Sequence, residues 1–354
     1  MLNKNIFSLI FSFICILILF SILKFGWTQT WAVILGPTIT LKPYFADMRT
    51  VQGALLSIQQ EFNPQLVNPG DPWGRPMNYP SVWVVISDFF ALNFEKNYLI
   101  FIISSVTTYL SACLYLLRKY PSIWLLLAIF SGSSLLAIER GNNDLMVFIL
   151  LFFSASKNLL LKSLLIIFAG VLKIYPFFSA ITLSNNKKYF IAVTSLAGIY
   201  LVYVWPEIEN IRRNTPISAI MSYGVPSISE AIKLKLNVNL NSWLVAIFMI
   251  AFAVLFGNSN KVKNNTTIKT RKENEFILFQ IGASIFLSTF IVSSNWDYRL
   301  IFLILCIPFL ISLPKSNTKF LILLSIIIAS NQAILNNVIG TLGGVIITLI
   351  SKMI

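Results

Sequence analysis

Four short clusters of acidic, basic and amide residues interrupt an otherwise apolar chain. They are Asp47-Met48-Arg49, Glu139-Arg140-Gly141-Asn142-Asn143-Asp144, Lys173-Ile174-Tyr175-Pro176 and Asn295-Trp296-Asp297-Tyr298-Arg299. A charge at mid-membrane costs about 2.5–3.5 kcal/mol on insertion scales, so charge retained in such surroundings marks function by default. Asp47 could take the proton of a hydroxyl and make it a nucleophile; its competing role is an ordinary salt bridge at a helix N-terminus. Arg140, Lys173 and Arg299 lie on three separate segments. Arginine forks match phosphate oxygens and lysine adds a point charge, so a convergent set could hold a phosphate leaving group. Pairing of Arg140 with Glu139, and of Arg299 with Asp297, competes with that role. Asn142, Asn143 and Asp144 offer donors and acceptors where a helix begins, and Asp144 is placed to cap it. Arg49, Tyr79, Glu139, Tyr175, Asp297 and Tyr298 complete the candidate substrate-binding residues.

The elements that must position these groups are membrane helices. Of 354 residues, 56% are hydrophobic and 11% charged, and the mean hydropathy is +0.78, a balance foreign to soluble domains. The hydrophobic segments run over 6–25, 98–117, 121–138, 189–206, 241–257, 276–293, 299–313, 318–335 and 338–351. Three more are too short to cross comfortably: 81–94, 145–156 and 158–183, the last broken at Lys173-Ile174-Tyr175-Pro176. Broken helices at membrane depth persist where they are buried in protein or line a wet cavity. The expectation is one all-α, polytopic membrane domain over residues 1–354. It has about 10–12 membrane helices, short broken ones included.

Net charge is +14, scattered over short loops, which suits topology and anionic lipid heads and excludes nucleic acid as a partner. Placing Lys4, Arg118-Lys119, Lys157, Lys187-Lys188, the Lys261–Lys272 loop and Lys352 inside makes segment 81–94 interfacial. Residues 26–80 and 207–240 then become long outer loops, the first with an amphipathic helix over Ala46–Glu61. Eleven of the thirteen acids and all four clusters fall on the outer face, and Glu273 and Glu275 stay inside. The chain has no histidine, the commonest metal ligand. Cys15, Cys113 and Cys306 stand alone in apolar runs without zinc or disulfide spacing. No nucleotide fingerprint or paired Asp-Xaa-Asp is present, so neither cofactor nor metal is expected.

The ordered set of motifs resembles the GT-C integral membrane glycosyltransferases, closest to glycosyltransferase family 87, whose donors are polyprenol-phosphate sugars. The resemblance rests on Tyr44-Phe45-Ala46-Asp47, Asn78-Tyr79-Pro80, Glu139-Arg140-Gly141-Asn142-Asn143-Asp144, Lys173-Ile174-Tyr175-Pro176 and Tyr298-Arg299-Leu300, which together span most of the chain. It implies an inverting transferase that moves a mannose-like hexose or a pentose from a polyprenyl monophosphate to a lipid or glycan acceptor. The reaction would face the extracytoplasmic side of a plasma membrane. Asp47 maps onto the base, and Arg140, Lys173 and Arg299 onto the donor-phosphate cations. The chain departs from many GT-C enzymes in its first loop, which lacks an acidic pair, and no soluble domain is expected after the last helix. Two rivals share the pattern: a lipid-linked glycan polymerase or ligase, and a lipid or solute transporter.

Overall fold

The computed structural model describes residues 4–37, 41–215, 221–239, 241–247, 273–292, 294–339 and 351. Most of segment 241–257, the Lys261–Lys272 loop, nearly all of segment 338–351 and Lys352 lie outside the described residues.

The chain is helical, apart from two antiparallel two-residue strands among the described residues. Among the described residues, four helices are long and apolar enough to cross a membrane: Lys4–Phe25, Glu95–Lys119, Ile123–Arg140 and Glu273–Val292. The count rises to six if each of two pairs bent by 73° is one span, and Asp144–Ser154 and Leu159–Leu172 are shorter apolar helices. Short and broken helices thus accompany the full-length ones, as expected, and the all-α class holds for the described residues. The run expected over 299–313 is not one regular α-helix. It forms a 3-10 stretch, Asp297–Cys306, and a short helix, Ile307–Ser312, and every residue from Leu300 to Ile307 is buried. A segment apolar on all sides belongs inside protein as readily as inside lipid. It lies so close to the Glu273–Val292 helix that a Cβ on Gly282 would sit 2.5 Å from the Phe302 carbonyl oxygen.

The segment expected as the first outer loop is more structured than its sequence suggests. Helix α1 (Lys4–Phe25) ends at Gly26, whose φ of 86° turns the chain into α2 (Trp27–Leu35). Helix α3 (Ala46–Gln59) is the expected amphipathic element and buries Met48, Val51, Ala54 and Leu55 at helical spacing. The Pro/Gly/Asn-rich run after it packs backbone-to-backbone on α3. A Cβ on Gly53 would meet the Asp71 amide at 2.4 Å, and one on Gly70 the Gly53 carbonyl at 2.3 Å. Ser57 and Asn68 tie the two together: Ser57 Oγ donates to Asn68 Oδ1 at 2.7 Å, and Asn68 Nδ2 donates to the Thr50 carbonyl at 3.2 Å. Helix α4 (Val82–Phe89) is short, as expected of an interfacial element, and Val85 and Phe89 are 67% and 81% exposed.

Helix α5 (Glu95–Lys119) is the long span against which the site is built. The expected 121–138 helix is interrupted at Phe130-Ser131, giving α6 (Ile123–Ile129) and α7 (Gly132–Arg140). Gly141 ends α7 in the left-handed region, φ 56°. Helices α8 (Asp144–Ser154) and α9 (Leu159–Leu172) form the short pair expected on either side of Lys157. The break at Lys173 follows, then a 3-10 helix over Tyr175–Leu183 with Pro176 in its first turn. Helices α10 (Lys187–Tyr203) and α11 (Trp205–Asn214) form one bent pair. The expected 207–240 loop thus contains most of α11, strand β1 (Ser222–Tyr223) and α12 (Val225–Leu236). β1 pairs with β2 (Asn295–Trp296), and the Asp297 amide donates to the Met221 carbonyl at 3.0 Å. That small ladder seats the last charged cluster.

Candidate active site

Asp47 stands in the first turn of α3, and its carboxylate is reached from the other end of the α7–α8 turn. Asn142 Nδ2 donates to Asp47 Oδ2 at 2.5 Å. The Asn142 amide cannot turn freely, because its Oδ1 accepts from the Asp144 backbone amide at 2.8 Å and from Lys173 Nζ at 3.5 Å. Two donors on Oδ1 leave Nδ2 facing the carboxylate.

Asp144 is the hub of the cationic side. The sequence places it as a helix cap, but the structure gives that place in part to Asn142 Oδ1, and the Asp144 carboxylate turns inward. Its Oδ1 accepts from Lys173 Nζ and from the Tyr175 hydroxyl, the latter at 2.8 Å, and its Oδ2 accepts from Arg299 Nε at 3.3 Å. Asp144 is fully buried and Lys173 is 5% exposed. A buried charge survives only when paired and hydrogen-bonded, and here one carboxylate serves two cations. Arg299 also bonds Asn295 and lies over the Tyr175 ring at 4.5 Å, and Lys173 lies over the Tyr79 ring at 5.0 Å. Asp47, Asn142, Asp144, Lys173, Tyr175 and Arg299, drawn from four stretches of chain, form one connected cluster. Tyr79 flanks it, and Tyr298 is the residue before Arg299.

The remaining predicted residues divide. Arg140 Nε is 3.3 Å from Glu139 Oε2 and Glu139 is fully buried, so the competing pair foreseen from sequence is formed. Asp297 is buried beside β2. Arg49 is committed elsewhere. Its guanidinium makes a bidentate pair with Glu95 at 2.6 Å, donates to Gln52 at 2.7 Å and lies 4.1 Å from the Tyr98 ring centre. Arg49 therefore clamps α3 to the start of α5. The Glu95 bond holds its charge above the ordinary guanidinium range, against the opposing effect of burial, which is the largest influence. Asn143 is buried, and both atoms of its amide lack a partner.

Arg75 is the residue that sequence reasoning missed. Its Nη1 lies 4.0 Å from Asp47 Oδ1, and its Nη2 donates to the Ala46 carbonyl at 2.5 Å. The buried Asp71 fixes it, accepting from Arg75 Nε at 3.1 Å and Nη2 at 2.9 Å, from the Trp73 and Arg75 backbone amides at 3.0 and 2.9 Å, and from Thr50 Oγ1 at 3.1 Å. The guanidinium also lies over Trp73 at 4.5 Å. The signal available in the sequence was the i,i+4 acid–base pair Asp71/Arg75 inside a turn-rich run. Among the described residues, no group of three or more His, Cys, Asp or Glu gathers to hold a metal ion.

The chain matches no family model, no curated protein and no solved structure.

Proposed function

We propose that this protein is an inverting membrane glycosyltransferase of GT-C type, acting at the extracytoplasmic face of a plasma membrane. In this reading it moves a mannose-like hexose or a pentose from a polyprenyl monophosphate to a lipid or glycan acceptor. The observation that carries the reading is the link from Asp47 through Asn142 to Lys173, Asp144 and Arg299. A candidate base and a cation cluster stand one side chain apart, so one substrate can touch both.

Asp47 takes the proton of the acceptor hydroxyl as its oxygen bonds to the anomeric carbon. The bond from that carbon to the phosphate oxygen breaks on the opposite face, and the electron pair leaves with the polyprenyl monophosphate. Lys173 and Arg299, both held by Asp144, are the cations offered to the developing phosphate charge. Fixed charges in a water-poor site act most strongly where charge develops. Asn142 keeps the Asp47 carboxylate aimed, and Arg75 braces it from the outer loop.

The test is transfer in liposomes. Purified protein should move radiolabelled sugar from polyprenyl-phosphate-mannose to a membrane acceptor with release of polyprenyl monophosphate. Asp47→Asn should abolish transfer while the protein stays folded. Turnover of only pyrophosphate-linked oligosaccharide would favour a polymerase or ligase, and flux without covalent transfer would favour a transporter.

A further inference from the structure

A lateral groove of about 720 Å³ runs between the end of α4, one face of α5 and α8. Asn97, Ser105 and Thr108 of α5 line one wall, and Met146 and Ile149 of α8 the other. From Asn97 to Thr108 the groove follows α5 for about 16 Å at the helical rise per residue, roughly half the hydrocarbon thickness that such a helix spans. Its size falls within the range of small-molecule sites, about 300–1,000 Å³.

Midway along the groove, a second space of about 10 Å³ shares Phe101, Ser105 and Met146 with it and reaches Asn143. That is the room of a single water-sized group. Asn143 is 2% exposed, and neither its amide nitrogen nor its oxygen has a hydrogen-bond partner. An unsatisfied buried amide costs about 1–3 kcal/mol, so a polar group arriving there is favoured. The adjacent residue, Asn142, holds Asp47. No charged side chain lines either space.

We infer that this groove seats a neutral lipid with a hydroxylated headgroup, its acyl chain along α5 and α8 and a headgroup oxygen at Asn143. The chain of a ligand entering here lies at membrane depth, which a water-soluble glycan does not. The uncharged lining suits a hydroxyl and not a phosphate, so the groove belongs to the acceptor and the donor phosphate stays with Lys173 and Arg299. This acceptor role rests on the glycosyltransferase reading; the lipid seat itself does not.

The probe is a monohexosyl diacylglycerol with a diazirine in its acyl chain, presented to the full chain in phosphatidylcholine vesicles. Photolabelling should map to residues 97–108 and 146–150 and be competed by unlabelled monohexosyl diacylglycerol, not by polyprenyl monophosphate. Ile149→Trp should obstruct the wall of the groove beside Met146 and reduce the labelling. Asn143→Leu should weaken labelling about fivefold, the equivalent of one lost hydrogen bond. Labelling spread over other lipid-facing helices, or equal competition by polyprenyl monophosphate, would overturn the assignment. Correct labelling with no sugar transfer from any donor would keep the lipid seat and remove the transferase reading. Transfer with labelling elsewhere would do the reverse.

Discussion

The amide of Asn142 meets the carboxylate of Asp47 at 2.5 Å, across 95 positions of chain. That bond joins α3 to the α7–α8 turn and brings two weak sequence motifs together. Asn142→Ala frees the carboxylate to rotate. Transfer should fall by about 10²-fold or more, towards the 10²–10⁴ range of general-base catalysis, while KM for the donor changes little. Steady-state kinetics in liposomes separate the two. A fall in donor affinity with kcat intact would place Asn142 on the donor instead.

Asp144 should be the most sensitive position for folding. Asp144→Ala strips the shared carboxylate from Lys173 and Arg299 and leaves two buried cations uncompensated, a loss of about 3–5 kcal/mol. Lys173→Met leaves Asp144 still paired with Arg299 and should cost clearly less. Thermal unfolding in detergent ranks the two variants, and the reverse order would refute the hub assignment.

Gly53→Ala tests the brace behind Asp47. The new Cβ would sit 2.4 Å from the Asp71 amide, so the Gly70-Asp71 backbone must move and Arg75 with it. Overpacking of this kind costs about 1–3 kcal/mol, and transfer should fall alongside. Full activity at reduced stability would separate the brace from the chemistry.

Arg49 and Glu95 form a bidentate pair whose side chains are 11% and 56% exposed. Because Glu95 is solvated, the pair should contribute no more than about 1 kcal/mol and weaken with salt. A double-mutant cycle in Arg49→Ala and Glu95→Ala measures it. A coupling well above that value would require a drier contact.

Tyr79 gives a pH signature. Burial first, and then the carboxylate of Asp47, push its phenol well above the usual range. The folded state thus holds this proton while the unfolded chain releases it near pH 10. The stability contributed by Tyr79 is intact below about pH 10 and declines as pH rises beyond it. Tyr79→Phe should flatten that alkaline decline in a melting-temperature profile, and an unchanged profile would count against a buried phenol.

The positions of charge in an apolar polymer were readable without coordinates. So were the amphipathic Ala46–Gln59 helix, the short Val82–Phe89 helix and the break at Lys173. Each follows from local chemistry: helical spacing, run length, and a proline that a helix interior rejects. Partners were not readable. Nothing near Asp144 in sequence says that it will leave its capping place for Lys173, Tyr175 and Arg299, or that Arg49 will be taken by Glu95 and not by substrate. Arg75 escaped notice because its neighbours read only as turns, and the 3-10 form of Asp297–Cys306 escaped it because an apolar run looks the same whichever helix it makes. Composition determined that the chain is helical and membrane-borne, and where its polar chemistry resides. Only the packing of α3, α7, α8 and the 297–306 stretch decided which charges neutralise one another, because hydrogen bonds and ion pairs are set by distances of a few ångströms between segments that the sequence keeps far apart.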